Sequence, residues 1–236
     1  MYSPGFYFDP FYLLLTFGTI ALSVYASWRV KSAYGRYSQV PARSGLSGAQ
    51  IAQRILDLNG IQDVSIHPIA GQLSDHYDPA NKRLMLSEEN YYGTNVAALG
   101  VAAHECGHAI QHQQLYAPLQ WRMAAVGITT IAGQIIPFVG MGLLWLMPKI
   151  ALPILAVCFG IVMLFQLVTL PVEFDATARA KRILASTGAV APGEETAAMS
   201  RVLDAAALTY VAAFISALGT FLYYVMLLLG NNRRDE

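Results

Sequence analysis

Hydrophobic positions along this chain gather into four long runs, Phe11 to Trp28, Met123 to Met147, Ile150 to Leu170 and Ala205 to Leu229, none of which contains Asp, Glu, Lys or Arg. At about 1.5 Å of rise per residue each run is about long enough to cross a bilayer as a helix. The pattern changes between the runs. Residues 46–122 and 171–204 mix polar and apolar positions at the periods of ordinary soluble elements. Ser47 and Gln50 form an S-x-x-Q capping box ahead of Ile51, Ile55 and Leu58, with Gly60 as the stop, so a short amphipathic helix is expected there. Val64 to Ile69 alternates like a strand. Gln72 to Tyr77 and Arg83 to Leu86 read as two more around a turn at Asp78-Pro79-Ala80-Asn81, giving a small antiparallel sheet with a hairpin. Ser87, Glu88 and Glu89 mark a helix start, and Thr94 opens a further, apolar helix. Lys31 to Gly45 reads as a polar linker.

Composition strengthens the membrane reading: 55% of the 236 residues are hydrophobic and only 13% are charged. A chain this short has no soluble shell in which to bury four such helices. The expected fold is therefore mainly α, a single polytopic membrane-embedded domain over 1–236 with about four transmembrane helices (11–28, 123–147, 150–170 and 205–229). A small α+β zincin-like subdomain is expected over 46–122. The first run is expected to stay as an anchor, because no Lys or Arg precedes it, Arg29 and Lys31 follow it, and its far end offers no clean cleavage site. Eight Lys and Arg fall between Arg29 and Arg122 and four between Arg179 and Arg201, against Lys149 alone at one turn and Arg233 and Arg234 in the tail. The positive-inside rule then makes 46–122 and 171–204 cytoplasmic in a plasma-membrane protein, with both termini outside. The tail charges pull against this, so the last run either crosses or dips.

Net charge is zero, so nothing points to nucleic acid as a partner. Two cysteines, Cys106 and Cys158, carry no disulfide signal.

The chemistry concentrates in His104-Glu105-Cys106-Gly107-His108, an H-E-x-x-H run. From Thr94 to Gln111 these two histidines and the glutamate are the only charge-bearing side chains in an apolar helix, where unpaired polar groups are costly. Positions i and i+4 share a face, so the two imidazoles can hold one Zn²⁺ while Glu105 reaches a water on it. Cys106 lies about 200° round from His104 and reads as a packing residue. A catalytic zinc takes a third protein ligand. His112 is carried round the helix and two turns along, which leaves it an interfacial or surface residue. Pro171-Val172-Glu173-Phe174-Asp175 follows the third run, and Glu173 is expected near the start of a helical segment there. Glu173 and Asp175 point about 200° apart, so one of them faces the histidines, and the glutamate is favoured.

His104 to His108, Pro171 to Ala176 and Leu73-Ser74-Asp75-His76-Tyr77-Asp78-Pro79 together resemble the YugP-like neutral zinc metallopeptidases of bacterial membranes, over most of the chain. The first two elements also resemble the membrane gluzincins. That resemblance implies His104, His108 and Glu173 as zinc ligands and Glu105 as the general base. The chain departs from the gluzincin E-x-x-x-D pattern by having Thr177 four residues after Glu173. Asp175 is then a candidate partner for the histidines. His76 and Tyr77, with Tyr91 and Tyr92, are candidate oxyanion donors. The expected activity is a membrane-bound zinc endopeptidase acting on membrane-associated or unfolded proteins at the cytoplasmic face, its sheet edge either pairing with an extended peptide or serving as scaffold. The alternatives are a zinc-stabilised membrane scaffold or regulator and, more distantly, a transporter. An intact Glu105 argues against the first, and spans without ionisable residues argue against the second.

Overall fold

A computed structural model describes residues 9–232, and these are mainly helical. The chain divides into two compact units. One draws on the described parts of Met1–Tyr25, Trp121–Leu170 and Tyr210–Glu236; the other comprises Ala26–Gln120 and Pro171–Thr209. The tail arginines Arg233 and Arg234 lie outside the described residues.

The first unit is built from parts of four helices long and apolar enough to cross a membrane, each of which also contributes residues to the second unit. They are α1 (Pro10–Tyr37), α5 (Ala117–Phe138), α7 (Pro148–Ser186) and α8 (Glu194–Asn232). Beyond α5 the chain continues through a π-helical turn, Val139–Leu143, into the short α6 (Leu144–Leu146). Pro137 and the glycines Gly140 and Gly142 weaken the regular ladder at that point. Leu152, Leu155, Tyr223 and Tyr224 form its core, while Phe17, Ile131, Leu164 and Leu222 are exposed, the distribution expected of a bundle facing lipid.

Helix boundaries differ from the expected spans in one consistent way. α1 continues to Tyr37, well into the expected linker, and α7 runs unbroken through Pro171. Glu173 therefore sits within a 39-residue helix rather than near the start of a new one. Polar residues beyond an apolar run continue a helix as readily as they end it, and a proline costs one hydrogen bond without always breaking the rod.

The second unit packs α2 (Gly48–Leu58) and a three-stranded sheet against α4 (Val96–Gln113). The capping box forms: the Ser47 hydroxyl accepts from the Gln50 N–H at 3.3 Å and the Gln50 side chain accepts from the Ser47 N–H at 2.9 Å. Ile51, Ala52, Ile55 and Leu56 are fully buried. Leu58 instead lies at the edge of that arc in the last turn and is 63% exposed, so Leu56 takes the place expected of it.

The sheet is mixed rather than antiparallel, in the order β1-β3-β2. β2 (His76–Asp78) and β3 (Arg83–Ser87) make the expected hairpin, but β1 (Ser65–Ile69) runs parallel to β3, with Ser65 opposite Arg83 and Ile69 opposite Ser87. The loop 70–75 makes this possible by turning over the end of β3, with positive φ at Gly71 and Leu73. The expected strand 72–77 is thereby shortened to three residues. Asp75 fixes the loop, its carboxylate accepting from the Ser87 N–H (2.8 Å), the Ser87 hydroxyl (3.2 Å) and the Asn90 amide (2.9 Å). Asp78 shapes the hairpin turn by accepting from the N–H groups of Ala80 and Asn81.

α3 (Glu88–Tyr92) leads into α4, whose cap is Asn95 rather than Thr94: the Asn95 side chain accepts from the Ala98 N–H at 2.9 Å. The Thr94 carbonyl is used elsewhere, accepting from the Ala42 N–H where 40–42 pairs alongside 94–96.

Candidate active site

α4 is buried along most of its length, and its neighbours explain its composition. Cys106 faces α2, its thiol 3.6 Å from the Ala52 carbonyl, in agreement with a packing role. Gly100 faces α8, where an added Cβ would lie 3.2 Å from Met199. Gly107 faces α7 more closely still: a Cβ there would lie 2.9 Å from the Ala176 carbonyl oxygen and 3.0 Å from its Cα. The absent side chain lets two backbones touch. His104, Gly107, His108 and Gln111, spaced i, i+3, i+4 and i+7, form the stripe of α4 that meets Val172, Glu173, Ala176 and Thr177 of α7.

At this contact the two imidazoles converge on one carboxylate. His104 Nε2 is 3.2 Å and His108 Nε2 3.6 Å from Glu173 Oε2, and donor atoms of all three residues lie within 4.8 Å of one another. A tetrahedral ion with bonds of about 2.0–2.1 Å separates its ligand atoms by about 3.3–3.4 Å, close to both histidine distances from Glu173. The chemistry of the trio fits as well: Glu173 is 1% exposed and the histidine side chains 12% and 10%, a dry site of two imidazoles and one carboxylate. Burial alone would raise the Glu173 carboxyl, but hydrogen bonds from His104 and His108 outweigh it and hold the group far below the usual carboxylate range. Burial opposes charge on His108, yet the contact with Glu173 prevails and raises its pKa. A cation-seeking carboxylate thus lies between two nitrogen ligands.

The outer nitrogens are also engaged. His104 Nδ1 lies 3.2 Å from the Thr177 hydroxyl, and His108 Nδ1 lies 3.0 Å from Gln111 Oε1. Asp175 stands one step further out than expected: it accepts from Gln111 Nε2 at 2.9 Å and from Arg179, and so reaches His108 only through Gln111. Neither Thr177 nor Gln111 was singled out as a histidine partner by the sequence. The available signals were the departure from E-x-x-x-D and an amide, Gln111, three residues after His108.

Glu105, 7% exposed, occupies the next position on α4. Burial raises its pKa, the two histidines pull it down, and Glu173 and Asp75 push it up again, for a net rise. The loop aspartate thereby enters the electrostatics of the motif. His76 is exposed and its ring bonds to the Ser74 carbonyl, whereas the Tyr77 hydroxyl is 2.9 Å from His112 Nδ1. His112, half-buried, thus has a local partner, and Tyr77 is pushed up to about 12, chiefly by burial. Tyr91 and Tyr92 pack edge to face on each other at 4.8 Å.

Helices long and apolar enough to span a bilayer, together with a buried His/His/Glu group able to bind a metal, are the features of a membrane metalloprotein. The family described as "Putative neutral zinc metallopeptidase" matches residues 12–229, and the chain belongs to it. Zinc is accordingly its metal, with the trio present to bind it. Among curated proteins the chain is 44% identical over 227 residues to "Putative membrane protease YugP" of Bacillus subtilis (strain 168), covering 95% of this chain and 99% of that one. No solved structure matches the chain.

Proposed function

We propose that the protein is a membrane-bound zinc endopeptidase of the gluzincin type, with His104, His108 and Glu173 as ligands and Glu105 as general base, cutting membrane-associated or unfolded proteins at the cytoplasmic face. The observation that carries this reading is Glu105 itself. A buried carboxyl beside a complete three-residue metal site serves no structural need, because structural zinc is closed by four protein ligands. Zinc in such a site supplies Lewis acidity, polarising a scissile carbonyl and lowering the pKa of water toward 7. Glu105 then accepts the water's proton and returns it to the leaving amine; its raised pKa brings it closer to the range in which one group can do both. Burial of the trio excludes bulk water from around the reacting carbonyl, which strengthens each electrostatic contact.

β1 and β2 are the two edges of the sheet, and an extended peptide can add to either through main-chain hydrogen bonds without regard to its sequence. Access from the membrane surface is supported by the chain itself. Glu173 lies three residues beyond the apolar run that ends at Leu170, about 4.5 Å along the same helix. The distribution of Lys and Arg supports the cytoplasmic side.

The test is cleavage of an unfolded protein by the purified full chain and by Glu105→Gln, each assayed for bound zinc. Cleavage by wild type alone, with zinc retained by both, is expected. Equal zinc in both and no cleavage by either would favour the zinc-stabilised scaffold.

A further inference from the structure

Gln111 is fully buried, and its side-chain amide makes three contacts that decide its orientation. Nε2 is 2.8 Å from the Val172 carbonyl and 2.9 Å from Asp175 Oδ2. A carbonyl has no proton to give, and the same Asp175 oxygen already receives the Arg179 Nε–H. The NH₂ group must therefore face α7. Oε1 is left facing His108 Nδ1 at 3.0 Å, and an amide oxygen only accepts. Neutral His108 must then carry its proton on Nδ1, so that Nε2, on the Glu173 side, presents a lone pair. His104 has no such constraint, because its Nδ1 faces a hydroxyl that can donate or accept. The same amide also brackets the third ligand, holding the residue before Glu173 through its carbonyl and the residue two after it through its side chain. Arg179 anchors the far end by donating to Gln114 Oε1 at 2.7 Å.

The geometry points to Gln111, braced by Asp175 and Arg179, as the positioning residue that locks His108 in its metal-binding tautomer and ties that ring to the stretch of α7 carrying Glu173. The inference rests on the zinc-site reading above. It assigns a role to a residue outside both the ligand set and the base.

The test uses the full-length protein in detergent and measures zinc affinity by competition with a chromophoric chelator, together with the absorption spectrum of the Co²⁺-substituted form. Gln111→Met keeps the side-chain length and removes both polar functions; Gln111→Glu keeps an acceptor for His108. Loss of an outer hydrogen bond to a ligand typically lowers metal affinity about 10–100-fold, and that fall is expected for Gln111→Met with a changed Co²⁺ spectrum. Gln111→Glu is expected to recover only part of the affinity, because it restores the acceptor for His108 but not the donors to α7, and a purely space-filling role would produce no such rescue. Wild-type affinity in Gln111→Met, or equal losses in the two variants, would overturn the inference while leaving the zinc site standing. Should Gln111→Met fail to fold, imidazole ¹⁵N NMR of the zinc-loaded wild type carries the test: His108 bound through Nε2 with its proton on Nδ1 is expected, and His108 bound through Nδ1 overturns the proposal. Failure of the wild type to bind zinc would instead remove the reading on which the inference rests.

Discussion

Gly107→Ala probes the contact that brings the ligands together. The added methyl would lie 2.9, 3.0 and 3.2 Å from the carbonyl oxygen, Cα and Cβ of Ala176, and two of those atoms are backbone. Ordinary carbon contacts are about 3.5–4.0 Å, so α4 and α7 must part by roughly 0.5–1 Å. Overpacking of this kind costs about 1–3 kcal/mol, while alanine in a helix interior gains about 0.8–1.0 kcal/mol over glycine. The zinc-free protein is therefore expected to lose only about 0–2 kcal/mol. Metal binding is the sensitive quantity, because both histidines ride on α4 and Glu173 on α7, and zinc sites tolerate about 0.2 Å of ligand displacement. Affinity should fall at least about tenfold, or 1.4 kcal/mol. The assay is chelator competition on wild type, Gly107→Ala and the control Gly133→Ala, whose new methyl meets nothing within 4 Å. Zinc affinity within about twofold of wild type in Gly107→Ala would refute the claim that this backbone contact sets the metal site.

Glu173→Ala removes the one anionic ligand and is expected to abolish stoichiometric zinc retention through dialysis; retained zinc would move the third ligand elsewhere. Asp75→Ala releases the loop 70–75 from Ser87 and Asn90 and should destabilise the protein by about 2–3 kcal/mol in denaturant unfolding, with an unchanged midpoint counting against the loop's role. In the second-unit core, Leu56→Ala should cost about 2–5 kcal/mol and Leu58→Ala less than about 1, a contrast readable in the same assay. For zinc-free protein the pH dependence follows from the trio. His108, raised in the fold, contributes stability below its ordinary value near 6.5 that is lost as pH rises through the folded value; Glu173, lowered, contributes stability above about 4.5 that is lost on acidification. Thermal stability without zinc should thus decline from pH 6.5 upward while the gain from adding zinc grows, and a zinc-induced gain that shrinks with pH would contradict this.

Much of the architecture was legible because its signals are local. Four charge-free runs named the long helices, Ser47 and Gln50 announced their capping box, and the i, i+4 histidines specified a shared face. Helical angle allowed only one of Glu173 and Asp175 to face the histidines, the family resemblance pointed to the glutamate, and the structure brings Glu173 to both imidazoles. What was missed depended on partners distant in sequence. Alternation at Val64 to Ile69 shows a strand but not its neighbour, so the parallel pairing with β3 was invisible, as was the loop that Asp75 ties down. Thr94 and Asn95 are both good caps, and the choice between them was made by the chain at 40–42. Leu58 lies close to Ile51 in helical angle yet falls at the edge of the buried arc, in the last turn of α2, and is exposed. Gln111 and Thr177 gained their roles only from the closeness of α4 to α7, which a glycine in the motif permits but does not announce.

Zinc-edge X-ray absorption of the purified, zinc-loaded protein tests the central claim most directly. The account predicts one zinc per chain with nitrogen and oxygen ligands only, at about 2.0–2.1 Å, two of them imidazoles. A sulfur ligand at about 2.3 Å, which would draw on Cys106 or Cys158, or a site unchanged by Glu173→Ala, would contradict it.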